Sequence, residues 1–125
     1  MPENRADPGS RLIAVPVTRI RATSERPAEP IFRLQGGPGI TNMQFPQASR
    51  FARDHDVVLV GYRGVDGSVR LDCPEVDSAI RHSTHLLGTK SFRAYADAFG
   101  ECAERLTADG VDLGGYGLTQ QVEDM

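Results

Sequence analysis

A continuous apolar run of strand length, DVVLVGY at 56–62, constrains the fold more than any other feature. A strand with one wet face alternates. An unbroken apolar run belongs to a strand covered on both faces, and hence to a sheet with parallel pairing. Upstream, PIFRLQ at 30–35 reads as a short strand. FPQASRFARDH at 45–55 reads as a helix, with Phe45, Ala48, Phe51 and Ala52 at helical spacing and Pro46 suited to a first turn. Strand, helix and buried strand make a βαβ unit with a right-handed crossover, which predicts an α/β chain.

RLIAVPVTRIRATS at 11–24 alternates imperfectly and reads as a further strand, with Pro16 at an edge or bulge. Residues 1–10, MPENRADPGS, read as a disordered lead, which leaves 11–125 as one partial domain. After the buried strand comes a loop, RGVDGS at 63–68, and then a helical stretch from Pro74 to His82. KSFRAYADAFGECAERLTADG at 90–110 is the clearest helix. Ser91 is its expected cap, Gly110 its end, and Phe92, Tyr95, Phe99, Cys102 and Leu106 form one stripe. A last helix is expected from Thr119.

Composition excludes several partners. The chain has 125 residues, and its net charge is −3 with the basic residues scattered. That excludes nucleic acid and an anionic membrane surface as main partners. No apolar stretch reaches membrane length and the first residues lack an apolar signal core, so the expected location is cytoplasmic.

RLQGGPGITN at 33–42 is the most informative loop. A dinucleotide cradle needs G-x-G-x-x-G running into a helix. Gly36, Gly37 and Gly39 do not keep that spacing, and Pro38 removes an N–H group. No Lys-Ser/Thr follows, so a P-loop fails as well. Two readings stay open: a plain strand-to-helix turn, and a loop whose backbone N–H groups form part of an oxyanion hole. Glycine there lets a carbonyl approach the backbone, and proline stiffens the donor.

IFRLQGGPG followed by DVVLVGYRGVDGS resembles the α/β-hydrolase superfamily, in its proline iminopeptidase and tripeptidyl aminopeptidase branch. Members of that branch carry His-Gly-Gly-Pro-Gly after the third strand and Asp-x-Arg-Gly-x-Gly-x-Ser after the fourth. LDCPEV and CAERLTADGVDLGGYGLTQQVEDM are also similar to the segment that precedes the nucleophile in the tripeptidyl aminopeptidase-like members. The chain departs from the pattern at Gln35, where the family has His, and at Gly61, where it has Asp. Asp66 stands where a small residue or Gly is common.

The resemblance implies a mostly parallel sheet of about three strands with flanking helices, truncated before the nucleophile strand. The 56–62 strand would lie between the 11–22 and 30–35 strands. It implies a serine hydrolase, most simply an aminopeptidase, acting on a peptide or ester substrate in the full-length enzyme. Gly36 and Gly37 would form the oxyanion hole, with Gly37 N–H the better donor. Pro38, Gly39, Arg63, Gly64, Asp66 and Ser68 would be loop scaffold. The Gly37–Pro38 bond is expected to be cis. No cofactor or metal is implied.

No Gly-x-Ser-x-Gly elbow occurs in the sequence, so no catalytic residue is assigned in this chain; nucleophile, acid and His are expected beyond Met125. The chain reads as an N-terminal fragment whose implied partner is a complementary C-terminal half. The alternative is a non-catalytic relic. Ser68 is followed by Val69 and Arg70 and forms no elbow. His82 and His85 stand three apart without a third ligand, and His55 reads as a helix-end residue. Arg63 reads as a tie between loop carbonyls. Cys73 and Cys102 are bridged in the secreted-relative reading, where a disulfide would pin the intervening excursion. Without a signal sequence, two reduced thiols are the expectation.

Overall fold

The computed structural model describes residues 1–37 and 39–125. They fall into two units, Met1–Arg70 with Gly115–Met125, and Leu71–Gly114.

The first unit is built on an open three-stranded sheet of order β1-β3-β2, with β1 at Val17–Ile20, β2 at Ala28–Arg33 and β3 at His55–Val60. Val57, Leu59 and Val60 are buried along β3, which is why it takes the central place that its apolar run predicts. β2 pairs with it in parallel, Ile31 opposite Val57 and Arg33 opposite Leu59. β1 pairs antiparallel, Val17 opposite Val60 and Ile20 opposite Val57. The sheet is therefore evenly mixed, not mostly parallel. The connection from β1 to β2, residues 21–27, is too short for the crossover of a dozen or more residues that parallel strands require, so the chain reverses.

That reversal is held by specific bonds. Asp56 is buried on β3. Its Oδ1 accepts the Ala22 N–H at 2.7 Å, and its Oδ2 accepts the Arg19 Nε–H at 2.8 Å. These bonds, the Ala22 N–H first, hold the Asp56 carboxyl below the usual carboxylate range. The connection then runs beside the segment entering β3, with Thr23 N–H on Ala52 O and Ala28 N–H on Asp54 O, both at 2.8 Å.

The expected helix over 45–55 is one turn, α1 at Ala48–Phe51. Ala48, Ala52, Val57 and Leu59 form the core there, with Ile20 and Phe45 packed against it. Phe45 also stacks on Phe51, ring centroids 5.7 Å apart. β1 is shorter than 11–24 because Pro16 has no N–H to give a ladder.

Residues 1–10 are placed, not a disordered lead. The amino terminus donates to Ile13 O at 3.1 Å, Glu3 N–H to Arg11 O at 2.9 Å, and Pro2 bridges Leu12. Glu3 is buried because its carboxylate is fully engaged. It takes two 2.8 Å bonds from Arg11 and a 2.6 Å bond from the Tyr116 hydroxyl. α4, at Leu118–Val122, ends this unit.

The second unit contains α2, Pro74–Arg81, and α3, Thr89–Ala108. α3 ends as expected at Gly110, in the left-handed region at φ 80°. Val111 N–H returns to Leu106 O and Gly110 N–H to Thr107 O, both at 3.0 Å. Two expectations are corrected. Gly88, not Ser91, is the N-cap, because the Ser91 hydroxyl is spent on His85 O at 2.6 Å. The expected stripe holds only in part: Cys102 and Leu106 are buried, with Ala98, while Phe92 and Phe99 are 54% and 58% exposed. The side facing α2 follows an i, i+4 ridge through Ala98, and Phe99 lies about 100° further round the helix. No helix among the described residues is long and apolar enough to cross a membrane.

Candidate functional site

Parallel pairing brings the carboxyl ends of β2 and β3 side by side, which is where ligands meet open α/β sheets. Two loops leave from there, 34–42 after β2 and 61–68 after β3. Asn42 joins them and is completely buried. Its Oδ1 accepts the Gln35 N–H at 2.9 Å and an Arg33 Nη1–H at 3.2 Å. Its Nδ2 donates to Arg33 O at 3.0 Å and to Val60 O at 2.7 Å. Both amide hydrogens and the carbonyl are used, so the carboxamide holds the strand ends at one spacing where the ladder stops.

Asp66 braces the same corner. Its Oδ2 accepts the Tyr62 N–H at 2.9 Å and the Asn42 N–H at 3.1 Å. Burial pushes the Asp66 carboxyl up. Hydrogen bonds from Thr41, Tyr62 and Asn42, with the charge of Arg70, outweigh it and hold the carboxyl below the usual range. The Tyr62 hydroxyl donates to Gln35 O at 2.9 Å. The residue just before the glycines is thus fixed at both its N–H and its C=O.

Gly36 and Gly37 are exposed, and no described residue accepts a hydrogen bond from either N–H. Gly37 has φ 97°, a conformation strained for any other residue; an added Cβ would also lie 2.7 Å from the exposed, movable Ile40 Cδ1. Ile40 N–H closes a turn on Gly37 O at 3.2 Å, and Gly39 has φ 78°. Pro38, and with it the expected cis bond and scaffold role, lies outside the described residues.

The remaining scaffold residues have separate partners. Arg63 is 5% exposed; the carbonyls it bonds are not those of its own loop but Glu3 O, from Nη1 at 2.7 Å, and Gly115 O. It also makes two 2.6 Å bonds to Asp124, from Nε and Nη2. Burial pushes the Asp124 carboxyl up, but Arg63 and Arg5 bring it below the usual range. Gly64 has φ 77° beside this residue. Ser68 accepts the Ala14 N–H at 2.9 Å and its own N–H donates to Ala14 O at 2.8 Å, a structural pairing. At Gly61 a Cβ would lie 2.8 Å from Asp66 Cβ and 2.9 Å from Pro16, so the family's Asp has no room there.

The histidines do not converge on a site. His55 Nδ1 lies 2.7 Å from Glu29 O. His82 Nδ1 lies 2.8 Å from Ser78 O and 3.5 Å from Ser78 Oγ. A nitrogen facing a carbonyl carries the proton, so His82 Nδ1 is no base for Ser78. An open groove of about 300 Å³ between His82, Ser83, Lys90 and Ser91 has its two serine hydroxyls bonded to each other at 2.7 Å.

Cys73 and Cys102 form a disulfide, which corrects the expectation of free thiols. Their sulfurs and a Glu75 oxygen lie within 4.8 Å of one another. Bonded sulfurs are not thiolates, so the cluster holds no metal in this state.

Asn42, Glu3 and Asp124 were not singled out in the sequence. Asn in ITN reads as an ordinary turn residue, and single acidic residues near chain ends read as solvated. Compared with protein-family models, curated proteins and solved structures, the chain matches none.

Proposed function

We propose that this chain carries the oxyanion-loop part of an α/β-hydrolase-type serine hydrolase, of aminopeptidase character, acting on peptide or ester carbonyls. The observation that carries the reading is the pair of N–H groups at Gly36 and Gly37 with no acceptor among the described residues, on a loop whose preceding residue is fixed through Asn42 and Tyr62. Preorganised donors of this kind stabilise charge that develops on a carbonyl oxygen. The strand order β1-β3-β2 accords with the order the family resemblance implies.

The nucleophile, its base and the second oxyanion donor are not in these residues, since the second donor follows the nucleophile. A complementary segment or chain supplies them, and the chain alone hydrolyses nothing. The test has two arms on the full chain. Titration with acetate against chloride at matched ionic strength, followed by amide NMR, is expected to shift Gly36 and Gly37 beyond their neighbours. An equal response to both anions, or none at these residues, overturns the oxyanion reading. A fluorophosphonate probe is expected to label no serine; stoichiometric labelling of one would reveal a nucleophile within these 125 residues.

A further inference from the structure

We infer that the Cys73–Cys102 disulfide is a reducible staple on which the second unit's fold depends, with Arg105 placed to assist its opening. The unit spans only Leu71–Gly114, and its buried apolar side chains are Val76, Ala98, Cys102, Leu106 and Val111. A segment of that size with so small a core needs a cross-link. The disulfide closes a separation of 29 residues between the start of α2 and the middle of α3.

The two sulfurs are unequal. Cys73 is half-buried, while Cys102 is 1% exposed. Arg105 Nη2 lies 3.7 Å from Cys102 Sγ and donates to Asp72 O at 2.7 Å. The charges facing Arg105 are Glu75, which accepts from Nε at 2.5 Å and has an oxygen within 4.8 Å of both sulfurs, Asp109 at 3.7 Å, and Asp72. A thiolate from a dithiol reductant attacks the reachable Cys73 Sγ. The S–S bond breaks, and its electron pair leaves on Cys102 Sγ beside the guanidinium. The reductant's second thiolate then attacks the mixed disulfide, releasing Cys73 as a thiolate and leaving the reductant oxidised. Both thiolates take protons from solvent. The guanidinium, in contact with Cys102 Sγ, offsets the Glu75 carboxylate that would otherwise raise the leaving thiol's pKa, and so speeds the first step.

The test uses the full chain and dithiothreitol, with reduction followed by alkylation and mass spectrometry. R105Q is expected to slow reduction several-fold, and R105K to keep it within about two-fold. A merely structural Arg105 gives the opposite sign, because a loosened unit exposes the disulfide and R105Q then reduces faster; that result overturns the assisting role. Hydrogen exchange reads the dependence itself. On complete reduction, and in C73S/C102S, protection in α2 and α3 is expected to fall roughly 500-fold, the entropy of closing a loop of this length, while β3 amides keep theirs. Persistence of α3 protection in both reduced and Cys-free chains overturns the staple.

Discussion

Replacing Arg63 with Met tests a buried charge cluster in the first unit. The side chains of Arg63 and Asp124 are 1% and 2% exposed, and three further groups depend on the guanidinium: Glu3 O, Gly115 O and, at 3.7 Å, Met1 Sδ. R63M leaves the Asp124 carboxylate with Arg5, at 2.6 Å, and removes the guanidinium bonds to Glu3 O and Gly115 O. Removing one partner of a buried ion pair costs about 3–5 kcal/mol. A domain of ordinary stability has about 5–15 kcal/mol in total. With a urea slope of about 2 kcal/mol per molar, the midpoint should fall by roughly 1.5–2.5 M.

The pH dependence has a defined sign. In the native chain the Asp124 carboxyl sits below its unfolded value, so its contribution is complete above about pH 4 and fades as pH falls further. In R63M, burial is left opposed by Arg5 only, and the folded carboxyl rises. The variant's penalty is then largest at pH 7 and shrinks as pH falls toward 4, where the carboxyl protonates. R63M/D124L removes the stranded charge and should recover about 1–3 kcal/mol relative to additivity. Urea unfolding of the parent, R63M, D124L and R63M/D124L at pH 4, 5.5 and 7 decides it. A loss below 1 kcal/mol for R63M, or a loss independent of pH, refutes the reasoning.

Two further substitutions probe the glycine loop. D66N retains the shape but takes the charge from the acceptor of the Tyr62 and Asn42 N–H groups; it should cost about 1–3 kcal/mol by urea unfolding and speed amide exchange at Asn42. G37A forces a side chain into φ 97° against Ile40 and should lose about 1–2 kcal/mol together with the anion response. G36A has open space around the new methyl and should stay within about 0.5 kcal/mol of the parent.

What could be read in advance follows from how local each signal is. The apolar run of β3 named its own burial, and Gly110 named the end of α3, because both depend on a few adjacent residues. The direction of β1 was not legible, since it follows from the length of the connection and from Asp56 gripping Ala22 and Arg19 across the sheet. The stripe on α3 was misread because aromatic residues at helical spacing look like core whichever ridge the partner helix takes. The lead was read as disordered on composition. What orders it is Glu3 meeting Arg11 and Tyr116, the latter 113 residues away, and no window over the sequence contains that pair.

Under the proposed oxyanion reading, the bracing of the glycine loop matters more than its position. A turn that only reverses the chain needs its glycines and a closing bond. Here the residue before them is held at N–H by a fully buried carboxamide and at C=O by a tyrosine, while neither glycine N–H has an acceptor among the described residues. Fixing a donor and leaving it unused is what electrostatic preorganisation requires. Both glycines are nevertheless exposed, so water competes for the donors, and a hydrogen bond in that medium is worth far less than in a dry site. The strength of the proposed hole would therefore depend on whatever covers it. Acetate should bind Gly36 and Gly37 only in the millimolar range or weaker in this chain, and tighten when a complementary segment closes over the loop. Tight binding by the chain alone would mean that the donors are already shielded, contrary to their exposure.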